Sequence, residues 1–489
     1  MLISADLRGA DLSGASLVYS DLVAAALHEA DLSGADLRGA DLRRAVLRES
    51  IIDPNTQLDA KWRLVWDLVN LVERLDLRGI DLSEAVLSYT DLQGADLSNA
   101  NLSGSDIHGA NLREARLNGA NLSRAILRGS NLGQADLRQA NLQNTNLEEA
   151  DLSGANLRQT DLRGITFDYV NLNQADLTEA DLSGADMTGS LLNQANLRGA
   201  SLRAARLGGI FLTKANLAGA DLTGADLANS SLDGSDLRGA NLAQANLNWA
   251  GLFDVDLRGA NLAGADLRLA LLQGVLIDET TVIAEKWRLV WELVNQPAAR
   301  RDLRGVDLSA ANLKSADLRE ADLREADLRH SHLLGVNLAG AKLQDAQLQD
   351  ATLDSADLSG VALPGVNWSG TVLSGIKLVG AALPAANFSE AILIYGNLRQ
   401  ADLKQADLSR AHLFMADLCQ ADLSGANLRE ADLLDADLRE TNLSGADLRE
   451  TNLIRADLSG ANLQGADLTG AELIDAVLPD GWQDVVAAY

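Results

Sequence analysis

The sequence is poor in the residues that usually build the cores and catalytic sites of globular enzymes. Of its 489 residues, 3% are aromatic, five are proline and one, Cys419, is cysteine. Aromatic side chains supply much of the buried area in ordinary cores, so a string of packed enzyme domains is disfavoured. A single cysteine excludes an intrachain disulfide framework and a thiolate metal cluster.

Long apolar runs and an excess of basic residues are missing as well. No run approaches the ~18 residues of a membrane span, and the first residues lack the basic and apolar regions of a signal peptide. Lys and Arg total 41 against 69 Asp and Glu, a formal net charge of −28. This balance disfavours direct binding to nucleic acid. We therefore expect a soluble, acidic, cytoplasmic protein.

What the sequence does contain is a repeat five residues long. Each unit has a small residue, Asp or Asn, Leu, a polar residue and then Gly or another small or polar residue, as in ADLRG at residues 35–39. We call its Leu the centre. Centres run in phase over residues 2–52, 77–277 and 303–478, which makes 88 units. Internal repetition on this scale indicates a solenoid.

The five-residue period fits neither a helix, with about 3.6 residues per turn, nor a simple strand with a period of two. It suits a short extended run followed by a corner, with the centre and the small residue two before it facing inward. Four runs would close a square coil of 20 residues. Coils would then stack through backbone hydrogen bonds at roughly 4.8 Å.

The repeat A-(D/N)-L-x-x resembles the pentapeptide-repeat family over nearly the whole chain. The resemblance implies an all-β solenoid, a right-handed quadrilateral β-helix with four pentapeptides per coil. We predict β-helix tracts at residues 1–53, 76–278 and 301–479. The segments between them interrupt the repeat.

The two interrupting segments, residues 54–75 and 279–300, are copies of one another. Each contains KWRLVW(D/E)LVN, and the copies lie 225 residues apart. They resemble Trp-containing inserts of cyanobacterial pentapeptide-repeat proteins. We expect a helix in each, over residues 61–75 in the first, with an apolar arc wider than one contact needs. The tryptophans of these insert helices are Trp62, Trp66, Trp287 and Trp291.

Three roles for the insert helices stay open at this point. They cover the β-helix wall or plug the end of a tract, or they also contact a partner or a second helix. Membrane-surface binding is the third and least favoured, because such helices usually carry a richly basic face.

Residues 480–489 predict a short amphipathic helix that caps the last coil. Its apolar side consists of Trp482, Val485, Val486 and Tyr489, spaced i, i+3, i+4 and i+7. A cap would cover the unpaired edge of the coil, which otherwise invites aggregation. A homodimer through this end of the rod is the alternative.

On one face of the predicted solenoid, the residue after the centre is apolar instead of polar. Since residues 20 apart should stack, apolar residues at this spacing form a column. We call the following seven residues the apolar stripe: Ile394, Tyr395, Phe414, Met415, Leu434, Ile454 and Ile474. A contiguous exposed apolar patch usually marks an interface, so the stripe is the candidate protein-interaction site. The alternative is that its side chains cover one another or that the C-terminal helix covers them.

No catalytic, metal or cofactor site is predicted. Catalytic groups must converge on one cavity, whereas Asp317, Asp322 and Asp327 would point to successive faces. The pair His330 and His332 has no evident third ligand. We expect a non-enzymatic scaffold that binds an unidentified protein partner.

The family resemblance adds an alternative function. Some members are acidic rods that occupy the DNA site of a type II topoisomerase. Duplex DNA carries one charge per ~1.7 Å. If the tracts are coaxial, a net charge of −28 spread over about 100 Å gives one charge per ~3.6 Å, less than half that density. Mimicry of DNA is therefore the second hypothesis.

Overall fold

The computed structural model describes residues 1–71 and 76–482, which form two compact units. Unit 1 comprises Met1–Leu267 and Gly274–Ala284, and unit 2 comprises Arg268–Gln273 and Glu285–Tyr489. Within each unit the chain is a stack of similar coils. The predicted tracts 1–53 and 76–278 fall mainly in unit 1, and the tract 301–479 falls in unit 2.

Parallel β-bridges between residues 20 apart define the coil. The first four bridges join Asp6 to Ala26, Asp11 to Asp31, Ser16 to Asp36 and Asp21 to Asp41. Each repeat supplies one bridging residue, at its Asp/Asn position. One turn of the solenoid therefore takes four pentapeptides, which is the spacing that the repeat predicts.

Each corner of the coil is a tight turn with a left-handed residue. In the first repeat, Ala5 N donates to Leu2 O at 3.1 Å, and Ser4 between them has a φ of 52°. Glycine adopts this φ without steric cost, which explains its frequency at the fifth position. At Gly39 a Cβ would lie 2.6 Å from the exposed ring of Tyr19, so a side chain there would require that ring to move.

The interior is a continuous ladder of Leu centres and small residues. Leu37 is 1% exposed and Ala35 is fully buried, and later coils repeat this pair. The aromatic centres Trp368 and Phe388 stack one coil apart inside unit 2, with ring centroids 5.5 Å apart. Leucine in register thus replaces the aromatic anchors that the composition lacks.

Two helices interrupt the coils, α1 (Ala60–Asn70) and α2 (Glu285–Asn295). Each buries the same three positions of the duplicated sequence, namely Trp62, Val65 and Leu68 in α1 and Trp287, Val290 and Leu293 in α2. Helix α1 is shorter than the predicted range 61–75. It ends at Asn70 because Leu71 is extended, with φ −120° and ψ 127°. Residues 72–75 lie outside the described part of the chain.

Helix α1 completes hydrogen bonds that the interrupted coil leaves open. In a regular coil, the carbonyl before the bridging residue accepts the N–H of the residue 21 further on, as Ala5 O accepts from Ala26 N at 2.9 Å. Ser50 occupies this register at the end of the first tract. Its carbonyl accepts instead the indole N–H of Trp66 at 2.8 Å. The indole therefore supplies the donor that the backbone of a following coil would otherwise provide.

The last residue of each helix makes a similar bond. Asn70 Nδ2 donates to Leu47 O at 3.1 Å in unit 1, and Asn295 Nδ2 donates to Leu272 O at 2.8 Å in unit 2. Both amides also donate to the carbonyl one helical turn earlier, at 2.9 Å. The duplicated sequence thus builds the same coil edge twice.

Beyond each helix the coils resume stacking. Arg44 N donates to Glu84 O at 2.7 Å, and Leu269 N donates to Ala310 O at 2.8 Å. The two joins span 40 and 41 residues. The additional residue of the second join therefore does not prevent stacking within unit 2. Neither helix has the length that a membrane crossing requires, and none among the described residues does.

Replacing Trp66 by Phe should destabilise unit 1. The substitution leaves Ser50 O without its donor while it keeps most of the ring, and an unsatisfied buried carbonyl costs about 1–3 kcal/mol. The free energy of unfolding measured with urea should fall by this amount. Leu71→Ala, at an exposed position just beyond the helix, should stay within about 0.5 kcal/mol of wild type. Equal stability of Trp66→Phe and wild type would show that the indole bond is dispensable.

Candidate protein-interaction face

The structure brings the seven residues of the apolar stripe onto one face of unit 2. The Asp/Asn positions of the five repeats bridge in series from coil to coil. In order, these bridged residues are Ile392, His412, Asp432, Asn452 and Glu472. Because the stripe residues follow each of them by two or three positions, they form two adjacent columns. Counting by 20 in the sequence therefore locates this face correctly.

Backbone hydrogen bonds hold the stripe residues in register. Tyr395 N donates to Phe414 O at 3.0 Å, and Met415 N donates to Leu434 O, also at 3.0 Å. Arg455 N donates to Ile474 O at 2.9 Å further along the face. The stripe is thus a rigid surface whose shape is present before any partner binds.

The residues of the stripe differ in how far they are exposed. Ile394, Phe414, Leu434 and Ile454 are half-buried. Tyr395 is 60% exposed, Met415 47% and Ile474 64%. The rings of Tyr395 and Phe414 meet edge to face with centroids 5.8 Å apart. The side chains therefore cover one another in part and still leave apolar area open to solvent.

Charged residues continue the column of Tyr395 and Met415 in the next two coils. Arg455 lies next to Ile454, and its Nε donates to Asp435 Oδ1 at 2.6 Å. Asp435 follows Leu434 in the coil before. An apolar centre with a polar rim is the usual arrangement of a protein–protein interface.

The tryptophans of the insert helices expose less of their side chains than residues of a binding surface usually do. Trp62 and Trp287 are buried, and Trp66 is half-buried with its indole bonded to the coil. Lys61 lies over the ring of Trp62 at 5.0 Å and bonds Asp81 at 3.0 Å.

Helix α2 repeats this arrangement. Trp291 is half-buried. Lys286 lies 5.0 Å from the centroid of the Trp287 ring, and its ammonium bonds Asp307 at 2.9 Å. Packing against the coils accounts for the buried sides of both helices.

The predicted C-terminal cap falls mostly outside the described part of the chain. Trp482 is half-buried. Val485, Val486 and Tyr489 lie beyond the last described residue.

Arginine two residues after a bridging aspartate neutralises much of the acidic ladder. Arg38 donates to both carboxylate oxygens of Asp36, from Nε at 2.9 Å and from Nη2 at 2.6 Å. The same Asp–Leu–Arg pairing occurs at Arg8, Arg43, Arg78, Arg138, Arg163, Arg238, Arg258, Arg304, Arg319, Arg324, Arg329, Arg439 and Arg449. The tripeptide is visible in the sequence, but counting charges does not detect the pairing.

Where asparagine replaces that aspartate, the arginine can reach another coil. Arg158 follows Asn156 and contacts Asp176 at 3.3 Å. Arg399 similarly contacts Asp417 at 3.4 Å. Arginines therefore neutralise aspartates both within and between coils.

Cys419 is buried rather than the open outward thiol that its position after the centre suggests. It is 5% exposed, and Arg399 and Arg439 occupy the same register in the adjacent coils. Asp417 and Asp437 lie close to the thiol, but each has an arginine partner. Both carboxylates near the thiol are therefore engaged in ion pairs.

A surface depression of about 480 Å³ in unit 1 contains the ionisable residues Arg163, Asp168 and Glu148. Arg163 is already bonded to Asp161 at 2.7 Å. Asp317, Asp322 and Asp327 are each bonded to the arginine two residues further on, at 2.6–2.7 Å.

The family description "Pentapeptide repeats (8 copies)" matches residues 5–44, 73–275 and 302–478 in overlapping segments. The chain belongs to the pentapeptide-repeat family. The matched segments leave out the two insert helices. In this pentapeptide-repeat protein the solenoid and the interrupting helices are thus distinct parts. No curated protein matches the chain.

Solved structures similar to this pentapeptide-repeat protein include two from cyanobacteria. HetL from Nostoc sp. strain PCC 7120, a pentapeptide repeat protein involved in heterocyst differentiation regulation, is 23% identical; the match covers 80% of this chain and 90% of HetL, with a TM-score of 0.13. Rfr23 from Cyanothece 51142 is 30% identical, with 27% of this chain and 91% of Rfr23 covered and a TM-score of 0.15.

A third similar structure is full-length QnrB1, a plasmid-mediated fluoroquinolone resistance protein. It is 21% identical to this chain, and the match covers 41% of this chain and 90% of QnrB1 with a TM-score of 0.18.

Acid should destabilise this pentapeptide-repeat protein through its Asp–Arg pairs. The hydrogen bond from Arg329 lowers the pKa of Asp327 from 3.8 to about 2. Between these values the unfolded chain binds protons that the folded chain does not, so stability falls as the pH drops from about 4 to about 2. Urea midpoints measured across this range should decrease.

Two substitutions separate this effect from general acid sensitivity. Asp327→Asn removes the titrating group and should make the decrease shallower. Asp345→Asn, at a carboxylate with no ion pair among the described residues, should leave the pH profile as in wild type. Parallel profiles for all three proteins would contradict the role of the pair.

Proposed function

We propose that the protein is a non-enzymatic scaffold that binds a protein partner through the apolar stripe. In this proposal the solenoid is a right-handed quadrilateral β-helix, in keeping with its 20-residue period and its family. The observation that carries the proposal is a contiguous apolar column held in register by backbone hydrogen bonds. Solvent-exposed apolar area of this kind favours association because covering it removes apolar surface from water.

The dimensions of the stripe limit the kind of contact it can make. Five coils extend roughly 20 Å at the inter-strand spacing. A stable interface usually buries about 800 Å² per partner, so the partner must also contact the edges beside the column. Tyr395 and Phe414 are the best candidates for its energetic centre, since aromatic residues dominate interface hot spots. Arg455 and Asp435 offer a charged rim.

Mimicry of DNA receives less support than protein binding through the stripe. The acidic residues of a mimic should present unpaired charge, whereas many bridging aspartates here are bonded to arginine at 2.5–2.8 Å. We retain binding to a topoisomerase as an outcome of the experiment below.

The domain organisation is part of the same proposal. We propose three β-helix tracts, residues 1–53, 76–278 and 301–479, with insert helices that close coil edges and a cap over residues 480–489. Homodimerisation through an end of the solenoid is tested by sedimentation equilibrium. A monomer at all concentrations would remove that possibility.

Replacing Tyr395 and Met415 by Glu should abolish partner binding without disturbing the fold. Both residues are left-handed, with φ of 58° and 54°, and Glu already occupies this turn position at Glu390 and Glu430 with φ of 59° and 57°. Capture from a lysate, followed by affinity measurement with the purified partner, should show a loss of at least tenfold. This corresponds to about 1.4 kcal/mol, less than one strong hot spot contributes.

Ala385→Glu with Gln405→Glu is the matched control. These residues have the same position in their repeats, φ of 57° and 55°, and lie on another face. The control adds the same charge and should retain the partner. If the stripe variant also retains it, the stripe is structural. If the captured protein is a topoisomerase whose binding DNA displaces, the mimicry hypothesis replaces this one.

A further inference from the structure

A cluster of potential metal ligands lies on unit 1, apart from the stripe. His28 Nε2 is 3.6 Å from Glu29 Oε1 and 3.5 Å from Glu49 Oε2. The ligand atoms of all three residues lie within 4.8 Å of one another. Glu49 is one coil beyond Glu29, so the coil stacking itself brings the two carboxylates together.

The hydrogen bond on the other side of the imidazole determines what the cluster can accept. His28 Nδ1 lies 3.1 Å from Arg48 O, and a carbonyl only accepts, so Nδ1 carries the hydrogen. In the neutral ring Nε2 then bears a lone pair. This lone pair faces two carboxylates, which are acceptors as well. Three acceptors around one point need either a second proton on the imidazole or a cation between them.

Nearby cationic side chains of the described chain are engaged elsewhere. Arg44 bonds Glu84 at 2.8 Å, and Arg48 donates to Ser88 O at 2.8 Å. Within residues 1–71 and 76–482, neither Glu29 nor Glu49 forms an ion pair with lysine or arginine.

Some glutamates at the same turn position are paired with arginine, whereas Glu179 and Glu325 form no ion pair with lysine or arginine within the described residues. Glu430 is bonded to Arg410 at 3.0 Å, and Glu320 is bonded to Arg300 at 2.8 Å. The carboxylates of the cluster thus differ from these in having histidine as their counterpart.

The backbone around the cluster is held from two sides. Glu49 N donates to Asn70 Oδ1, at the end of α1, at 2.5 Å. The carbonyl bonded to His28 Nδ1 belongs to Arg48, the residue before Glu49. The guanidinium of Arg48 donates to Ser88 O in the next tract. Metal-binding histidines typically have their second nitrogen bonded to a carbonyl or carboxylate in this way, which fixes the tautomer.

The duplicated insert provides an internal comparison. The residues 225 positions further on are Phe253, Asp254 and Gly274. The same junction is thus built there without a histidine and with one carboxylate in place of two. Because the junction does not need the cluster, closing the coil does not account for these three residues.

We propose that His28, Glu29 and Glu49 bind a divalent transition-metal ion of the Zn²⁺ or Co²⁺ type. His28 would contribute Nε2 and each glutamate one oxygen. Ligands about 2.0–2.2 Å from a tetrahedral ion lie roughly 3.3–3.6 Å apart, close to the distances from Nε2 to the carboxylates. An imidazole ligand favours these ions over Mg²⁺ and Ca²⁺. The proposal departs from the expectation that the chain has no metal site.

Titration calorimetry of the untagged full-length protein with ZnCl₂ tests the proposal. We expect one saturable site whose association constant falls at least tenfold in His28→Ala and in Glu29→Gln with Glu49→Gln. His330→Ala is the control, because His330 has a single carboxylate neighbour, Asp350 at 3.3 Å. It should bind as wild type does. A hundredfold excess of Mg²⁺ should not compete.

A spectroscopic readout makes the test independent of affinity. Co²⁺ bound through imidazole and carboxylate should give visible absorption bands that disappear in His28→Ala. Circular dichroism shows that each variant is folded, and the glutamine variant keeps the side-chain shapes. No binding by wild type, or binding that His28→Ala changes less than twofold, would overturn the proposal and leave a protonated imidazole between the glutamates. Equal loss in His330→Ala would also overturn it.

Discussion

The hydrogen bond between successive coils is the constraint on which the rest of this structure depends. Ala26 N donates to Ala5 O, and Leu27 N donates to Val46 O, so this repeat is tied to the coils before and after it. These bonds leave no freedom for one coil to slide against the next. Every position of the pentapeptide consequently becomes a column along the solenoid. Core, charge and candidate binding surfaces are all properties of columns.

A charged residue that recurs at one position of the repeat forms a column of like charges. Stacked aspartates repel one another at the inter-strand spacing. The Asp–Leu–Arg tripeptide relieves this, because Arg38 can bond both oxygens of Asp36 without leaving its coil. The protein therefore keeps a large negative net charge while much of its local charge is paired. Glu29 and Glu49 show another arrangement, in which histidine stands between two carboxylates of adjacent coils.

Interrupting the coils creates the opposite difficulty, since a stopped column leaves carbonyls without donors. The insert helices answer it with side chains. In α1, Trp66 donates to Ser50 O, and Asn70 adds a further donor to Leu47 O, which also accepts from Ser50 Oγ. Apolar periodicity alone accounts for the buried positions Trp62, Val65 and Leu68. Hydrogen bonding accounts for Trp66 and Asn70, which a hydrophobic pattern cannot explain.

The sequence by itself determined the 20-residue coil, its Leu and Ala interior and the alignment of the apolar stripe, because a strict period converts spacing directly into position. It did not predict that α1 ends at Asn70, that Cys419 is buried or that His28 meets Glu49. Only the tertiary structure decided these features. They depend on the direction in which side chains leave the corners and on neighbours one coil away, and backbone periodicity specifies neither.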